Sequence, residues 1–447
     1  MEKINVCLIN DSFPPCIDGV ANAVVNYGRI LSSGDGEATV VTPAYPRVSD
    51  GDFPFPVIRY ASLDTTRQVG YRTGLPFSPK LIASLESKGF DLIHSHCPVT
   101  STLLARTLRE RIGCPVVMTY HTKFDIDIAN AIRGKLLQEE AKHLLVENIS
   151  ACDEVWTVSR GAGENLRSLG YKGEITIMPN GVDLPVGKAD ERLVRSVTGE
   201  YDFPEGVPIF LFVGRMMWYK GIRIILDALQ MLAAEGKDFR MVFVGGGEDR
   251  EEIIGYAHRS DLSGKVFFIE PEHDRSRIRA WYTWADIFLF PSTFDTNGLV
   301  VREAAACSLP SVLVAGSCAA EGVTDGVNGF LIEENASSLA RKLQRLCETP
   351  ETIKCVGERA TQDLYISWEE AVSAARERYG TVLEKNKAGE YASHRDFADE
   401  LFRITAPALS RVGHDIEQQS RLLEKWRSEC RKELQELLFS QHPDRFL

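Results

Sequence analysis

The sequence of 447 residues contains no apolar run long enough to cross a membrane. Its longest runs, such as Ile209–Val213 and Ile287–Phe290, are far shorter than the ~20 residues that a membrane-spanning helix needs. Residues 1–9 lack the basic start, long apolar stretch and small-residue cleavage site of a secretory signal, and they lead directly into a strand pattern. We therefore expect a cytoplasmic protein.

Closely spaced cysteines and an excess of basic residues are also missing. The ten cysteines are scattered, with no close pair at the spacing of metal ligands, which predicts reduced structural thiols. The net charge is −12, whereas nucleic-acid binders and polybasic membrane proteins concentrate Lys and Arg. With 44% hydrophobic and 26% charged residues, the composition excludes a disordered or fibrous class. A globular protein with no nucleic-acid partner is predicted.

The sequence does contain an alternation of short apolar runs with helical patterns, and the alternation occurs twice. It predicts an α/β fold of parallel strands and crossover helices. Because one domain has roughly 100–200 residues, a chain of this length is expected to contain more than one domain. A break rich in Pro and Gly at residues 179–187 separates the halves. We predict one α/β domain at residues 1–185, a second at 186–365 and a helical C-terminal extension at 366–447. The predicted strands lie at residues 4–9, 91–94, 115–119, 154–158 and 174–178, then 209–213, 240–244, 266–269, 287–290 and 311–314.

The end of the predicted extension has an apolar stripe at helical spacing. The stripe consists of Leu422, Leu423, Trp426, Cys430, Leu434, Leu437 and Leu438. Such a stripe fits packing on its own protein, a homodimer through the C-terminal helices, or contact with a lipid surface. The pattern leaves these three alternatives open.

Ligands of open parallel sheets bind beyond the carboxyl ends of the strands, so the loops there are where chemistry is expected. After the first strand, Gly19 permits close backbone approach at the start of a helix whose free N–H groups suit phosphate. After the first strand of the second half, Arg215 and Lys220 stand on one loop. Two cations there can neutralise a diphosphate without a metal ion.

Two further loops of the second half complete the candidate site. Three glycines at residues 245–247 let a flat ring lie against the backbone, although they also fit a simple turn. Residues 290–304 contain two carboxylates eight positions apart, Asp295 in the loop and Glu303 in the following helix. The backbone N–H groups of Gly298, Leu299 and Val300 are predicted to face an anion, with the carboxylates facing neutral hydroxyls.

In this order and spacing, the loops resemble those of the retaining glycosyltransferases of family 4. The matching segments are residues 10–21, 94–98, 119–122, 179–183, 214–221, 245–247 and 291–310, together with Trp368. The resemblance implies the GT-B architecture of two facing Rossmann-like domains, with acceptor binding in the first and nucleotide-sugar binding in the second. It also implies that no cofactor or metal is required.

The same resemblance implies roles for individual residues. Arg215 and Lys220 would hold the donor diphosphate, and Glu303 would bind the ribose hydroxyls. Asp295 would bind the transferred sugar. From the first domain, Gly19 would face the phosphates and His121 would approach the sugar. The implied catalytic residues are His121, Asp295, Arg215 and Lys220; the donor-binding residues are Gly19, Arg215, Lys220, Gly245, Gly246, Asp295, Asn297, Gly298, Leu299, Val300 and Glu303.

Three positions depart from the family pattern. The family usually has glutamate where this chain has Asp295, and glycine where it has Asp18 and Ser308. A carboxylate shorter by one methylene fits either a retuned sugar pocket or weakened catalysis. A catalytically silent scaffold protein of the same architecture therefore stays an alternative, as does a nucleotide-sugar epimerase.

The donor and acceptor are predicted only as classes. A UDP-sugar is the favoured donor, and residues 91–98 and 120–124 are similar to those of diacylglycerol glucosyltransferases, which work at the inner face of the membrane. The acceptor is thus a lipid or a glycan, and a lipid acceptor implies peripheral membrane contact. Asp125 and Asp127 match the acidic metal-binding pair of other glycosyltransferases, but GT-B enzymes do not use such a pair, so we predict no metal site.

Overall fold

The computed structural model describes residues 3–392 except 17, 35, 67–70, 77, 126–127, 129–133, 202 and 261. The predicted apolar stripe at residues 422–438, and any dimer or lipid contact through it, lies outside the described residues. Asp127 does as well.

The first half of the chain forms a twisted parallel sheet covered by helices. Its strands are β1 (Asn5–Ile9), β2 (Glu37–Pro43), β3 (Val57–Tyr60), β4 (Ser62–Leu63), β5 (Thr73–Gly74), β6 (Leu92–Ser95), β7 (Val116–Tyr120), β8 (Glu154–Thr157) and β9 (Thr176–Ile177). Its helices are α1 (Gly19–Ser33), α2 (Pro79–Glu86), α3 (Thr100–Ile112), α4 (Lys135–Ser150) and α5 (Arg160–Ser168). Seven strands pair in the order β3-β2-β1-β6-β7-β8-β9, while β4 and β5 form a small antiparallel hairpin.

The second half repeats this arrangement with a six-stranded sheet. Its strands are β10 (Ile209–Val213), β11 (Arg240–Val244), β12 (Val266–Ile269), β13 (Ile287–Phe290), β14 (Ser311–Val314) and β15 (Phe330–Ile332), in the order β12-β11-β10-β13-β14-β15. Its helices are α6 (Glu191–Thr198), α7 (Ile222–Ala234), α8 (Arg250–Arg259), α9 (Arg275–Trp284), α10 (Leu299–Ala306), α11 (Ala336–Cys347) and α12 (Pro350–Leu364). The predicted α/β architecture of two Rossmann-like domains with parallel sheets is confirmed.

The apolar runs that predicted the strands are the centres of the two sheets. In β10 and β13 nearly every side chain is buried, because helices cover both faces of the sheet. The prediction omitted β2, β3 and β15 and the two hairpin strands β4 and β5. Strands β3 and β15 lie at sheet edges, and β3 has partly exposed residues that break an apolar run.

The last described helix, α13 (Trp368–Lys387), packs against the first domain rather than the second. Trp368 and Tyr379 share a core with Val6 and Leu8 of the first sheet. Helix α13 begins with a capping box at Ser367. The chain therefore crosses from the first domain to the second and back again. Among the described helices, none is both long and apolar enough to span a bilayer.

Candidate active site

The predicted site residues of the second domain lie beyond the carboxyl ends of β10, β11 and β13, next to the first domain. A Cβ atom added to Gly19, at the start of α1, would lie 3.9 Å from Cδ1 of Leu299, at the start of α10. The two helix N-termini therefore meet across the cleft.

Lys220 and Asp295 form an ion pair in this cleft. The Lys220 Nζ lies 3.1 Å from the Asp295 Oδ2, and the two side chains are 14% and 19% exposed. The Asp295 Oδ1 accepts hydrogen bonds from the backbone N–H groups of Asn297 and Gly298, at 3.1 and 2.6 Å. Burial acts to raise the pKa of Asp295, but Lys220 and the Gly298 N–H outweigh it and hold the pKa below its usual value. The carboxylate is therefore ionised.

The N-terminus of α10 differs in one respect from the sequence prediction. The N–H of Gly298 donates to Asp295 instead of facing an anion site, because a short aspartate reaches the backbone two and three residues ahead. The N–H groups of Leu299 and Val300 have no hydrogen-bond partner in the part of the chain that the structure describes. These two N–H groups and the positive end of the helix dipole can still bind an anion.

Arg215 is the second predicted cation of the cleft. Its side chain is exposed and, within the described residues, makes no ion pair. It stands on the same loop as Lys220, which ends the short 3₁₀ turn Trp218–Lys220. The loop therefore has one exposed cation and one cation that is paired with Asp295 inside the cleft.

The glycines at residues 245–247 have a packing role that the sequence analysis missed. Gly245 has a φ of 146°, and a Cβ there would lie 2.0 Å from the Gly214 carbonyl oxygen. A Cβ on Gly247 would lie 2.3 Å from the carbonyl oxygen of Met216, whose N–H donates to Gly246 O at 2.7 Å. The two loops therefore pack backbone against backbone, which only glycine permits.

Glu303 lies in α10 with both carboxylate oxygens occupied. Its Oε1 is 2.5 Å from the Arg275 Nη2, and its Oε2 accepts a hydrogen bond from the Tyr282 hydroxyl at 3.0 Å. Arg275 and Tyr282 were not predicted as site residues, because they stand far from Glu303 in sequence and belong to no motif. Each carboxylate oxygen keeps a second lone pair, so hydroxyls can still bind there.

His121 closes the cleft from the first domain and belongs to a buried cluster of three histidines. Its Nε2 lies 3.0 Å from the His96 Nδ1, and Asn180 Nδ2 is 3.5 Å from its Nδ1. The ring of His94 is tilted against that of His96, with the ring centroids 4.0 Å apart, and its Nδ1 hydrogen bonds with the hydroxyl of Tyr379 in α13 at 2.6 Å. Burial lowers the pKa of His121 to about 3, so the imidazole is neutral.

Asp18 stands where the family pattern has glycine, and its carboxylate caps α1. Its Oδ1 accepts from the N–H groups of Val20 and Ala21 at 2.9 and 2.8 Å. Ser12 donates to the other oxygen. Two of the N–H groups predicted to suit phosphate are thus already paired, and Gly19 is the position left beside the cleft.

Asp125 lies in the first domain, and no metal site is predicted for it. Its Oδ1 lies 3.4 Å from Asn165 Nδ2, a weak contact. Among the residues that the structure describes, no group of three or more His, Cys, Asp or Glu side chains is placed to hold a metal ion.

The comparisons with known proteins agree with this geometry. The sequence pattern of Glycosyltransferase Family 4 matches residues 17–185, and that of Glycosyl transferases group 1 matches residues 197–363. A D-inositol 3-phosphate glycosyltransferase of Xylanimonas cellulosilytica is 27% identical over 67% of this chain and 74% of its own. An alpha-monoglucosyldiacylglycerol synthase of Acholeplasma laidlawii is 23% identical over 80% of this chain and 92% of its own.

The fold is also that of solved structures. HepE of Anabaena, crystallised in complex with UDP, superimposes with a TM-score of 0.66 at 17% identity, over 85% of this chain and all of that one. Both domains therefore have known counterparts, in the same order along the chain. The chain belongs to the family 4 glycosyltransferases of GT-B architecture.

Proposed function

We propose that the protein transfers a hexose from a UDP-sugar, with retention of configuration and without a metal ion, to a lipid acceptor such as diacylglycerol. The observation that carries this proposal is the Lys220–Asp295 ion pair at the start of α10, opposite Gly19. One side of this pair suits a diphosphate and the other suits sugar hydroxyls. The diphosphate and the sugar of a nucleotide sugar would thus bind side by side.

The diphosphate is bound by cations and backbone N–H groups. Lys220, already inside the cleft, and the exposed Arg215 would both contact it, with the Leu299 and Val300 N–H groups completing the site. As the bond to the sugar breaks, negative charge grows on the leaving diphosphate, and these fixed donors stabilise it. This charge stabilisation is the reason that no metal ion is required.

Retention follows from a front-face reaction. Asp295 is held by Lys220 and two backbone N–H groups, which makes it a poor nucleophile. We infer that the acceptor hydroxyl attacks the anomeric carbon on the side of the leaving group. The bond from that carbon to the phosphate oxygen breaks, the bond to the acceptor oxygen forms, and the acceptor proton passes to the departing phosphate oxygen.

His121 is proposed to bind the transferred sugar as a neutral hydrogen-bonding group. Its low pKa keeps it uncharged, so it would not repel the positive charge that develops on the sugar in the transition state. Closure of the two domains would exclude water, which otherwise hydrolyses the donor.

Two observations support a lipid acceptor. One is the similarity to the monoglucosyldiacylglycerol synthase, which covers most of both chains. The other is on α4 of the first domain, where Leu136, Leu137 and Leu144 are 77%, 60% and 63% exposed. Exposed leucines on one helix can enter the interface of a bilayer, which fits peripheral contact with the inner face of the cell membrane.

A donor and acceptor screen tests the proposal. The protein is incubated in EDTA with UDP-, GDP- and ADP-hexoses, alone and with diacylglycerol vesicles, inositol phosphate or oligosaccharides. Released nucleotide and an α-linked product, assigned by NMR, are followed. We expect turnover with a UDP-hexose and the vesicles. Product only with a soluble acceptor would overturn the lipid assignment, sugar interconversion would identify an epimerase, and no turnover would favour a scaffold protein.

A further inference from the structure

The loop of residues 291–298 between β13 and α10, which we call the donor loop, is hydrogen-bonded to the first domain through Ser159. The Ser159 hydroxyl, at the start of α5, donates to the backbone carbonyl of Thr296 at 2.5 Å. Thr296 follows Asp295 directly. The same hydroxyl oxygen accepts from the N–H of Ala162 at 2.9 Å, so it is also the N-cap of α5.

A carboxylate of the second domain binds the same helix end. The Glu321 Oε2 accepts from the Arg160 N–H at 2.8 Å, and its Oε1 accepts from the Gly161 N–H at 2.5 Å. These are the first two residues of α5, where N–H groups have no partner in their own helix. The negative charge also lies at the positive end of the helix dipole. A helix terminus in one domain is therefore completed by a side chain of the other.

Gly161 allows this close approach. A Cβ added to Gly161 would lie only 2.4 Å from the Cys318 Sγ and 3.1 Å from the Glu321 Oε1. Gly161 is the second residue of α5, and glycine is a poorer helix former than alanine. Contact with the second domain explains why a glycine stands there.

We propose that Ser159, Gly161 and Glu321 are positioning residues that join domain closure to the geometry of the donor loop. Together with the carbonyl of Thr296 they form an interdomain latch, and Cys318 only packs beside Gly161. When the latch is made, the carbonyl of Thr296 is fixed, and with it the carboxylate of Asp295. This inference rests on the proposed donor site. It adds that the loop reaches its working geometry only when the domains are closed.

The latch can be tested by adding a methyl group at Gly161 and then removing the side chain with which it collides. Gly161→Ala should slow transfer by about tenfold or more, because the new methyl group collides with Cys318 and holds the domains apart. Cys318→Ala alone should change the rate little. The double variant should return to nearly the wild-type rate, since the methyl then meets only the flexible end of Glu321 at 3.1 Å and the Cβ of residue 318 at 3.4 Å, an ordinary packing distance. Gly380→Ala, which adds a methyl in open space on α13, is the control. A double variant as slow as Gly161→Ala would overturn the proposal.

A second pair of variants separates the latch from simple loss of a helix cap. Ser159→Ala removes both the cap and the hydrogen bond to Thr296. Asn335→Ala removes a comparable cap, at the start of α11, without touching the first domain. We expect Ser159→Ala to lower kcat about tenfold, the loss of one net hydrogen bond, while UDP affinity is nearly kept. Equal effects of the two variants on kcat would contradict the latch.

Amide hydrogen exchange distinguishes failure of the latch from failure of the proposed function. In Ser159→Ala and Gly161→Ala, but not in the controls, the peptide containing residues 293–299 should exchange faster. This readout needs no turnover. Faster exchange with no activity in the wild-type protein would reject the proposed function and keep the contact, whereas unchanged exchange would reject the latch whatever the activity.

Discussion

The ammonium of Lys220 lies 3.1 Å from the carboxylate of Asp295, and the carboxylate in turn binds the two N–H groups that precede α10. The donor loop is thereby held in one conformation by a charge that also belongs to the proposed diphosphate site. A bound diphosphate would share Lys220 with Asp295. Competition between the two anions makes both residues informative targets.

Replacing either cation should slow transfer without unfolding the protein. For Lys220→Ala and Arg215→Ala we expect a loss of about a hundredfold to a thousandfold in kcat, as is typical when one preorganised electrostatic donor is removed. Steady-state kinetics with circular dichroism measure the two properties. Lys237→Ala, which removes a lysine paired with Glu348 on the surface, is the matched control. Wild-type rates in both cation variants would remove the leaving-group assignment.

Asp295→Ala should abolish transfer and at the same time strengthen UDP binding. The substitution removes the sugar ligand, while it frees Lys220 for the diphosphate. Isothermal titration with UDP measures the second effect. Weaker UDP binding would show instead that Asp295 serves mainly to hold the N-terminus of α10.

Asp295→Glu distinguishes a retuned pocket from a weakened one. The extra methylene moves the carboxylate by roughly 1 Å, and a misplacement of that size can cost about a hundredfold in rate. A retuned pocket predicts slower transfer or a changed preference among UDP-hexoses. A weakened pocket predicts a gain of activity, since the variant restores the usual family residue. Unchanged rate and preference would exclude Asp295 from the sugar site.

Activity should survive the removal of divalent ions. The proposed charge stabilisation comes from Lys220, Arg215 and a helix terminus, so EDTA should change the rate by less than about twofold. Turnover is compared before and after chelation, with magnesium and manganese added back. Complete loss that either ion restores would bring Asp125 back as a candidate ligand.

The free energy of unfolding should fall as the pH is lowered from about 6.5. Burial holds the pKa of His121 at about 3, whereas an unfolded histidine titrates near 6.5. Between these values the unfolded state binds more protons, so stability decreases with decreasing pH, by about 2 kcal/mol at pH 5 for this residue. Urea unfolding at pH 7.5 and 5 measures the difference. In His121→Asn the difference in unfolding free energy between the two pH values should be smaller than in the wild type by about 2 kcal/mol. If the difference is the same in both proteins, His121 titrates normally.

Local patterns predicted the sheets and the loops because the signals lie within a few residues. The run Ile209–Val213 is apolar throughout since helices cover both faces of its strand, and the cations follow it directly in sequence. Contacts between distant segments left no such signal. The hydrogen bond between His94 and Tyr379 spans 285 positions, and Arg275 reaches Glu303 from another helix.

The roles of Asp18 and Ser308, which depart from the family pattern, could not be predicted from the sequence either. Asp18 caps α1 through Val20 and Ala21, a role that glycine cannot fill. Ser308, by contrast, has a φ of 57°, in the left-handed region that favours glycine. This backbone conformation explains why the family usually has glycine at this position, and here serine adopts it.

The return of the chain to the first domain has a topological consequence. Val182 pairs with Ser367 in an isolated parallel bridge, with the Val182 N–H donating to Ile366 O at 3.0 Å, and a Cβ on Gly181 would lie 2.4 Å from the Cα of Trp368. The outgoing and returning segments thus run side by side, and the second domain is an insertion into the first. Both connecting segments must bend together when the domains move, so the junction is a hinge made of two chain segments. One short linker from residue 182 to residue 367 would remove the inserted domain.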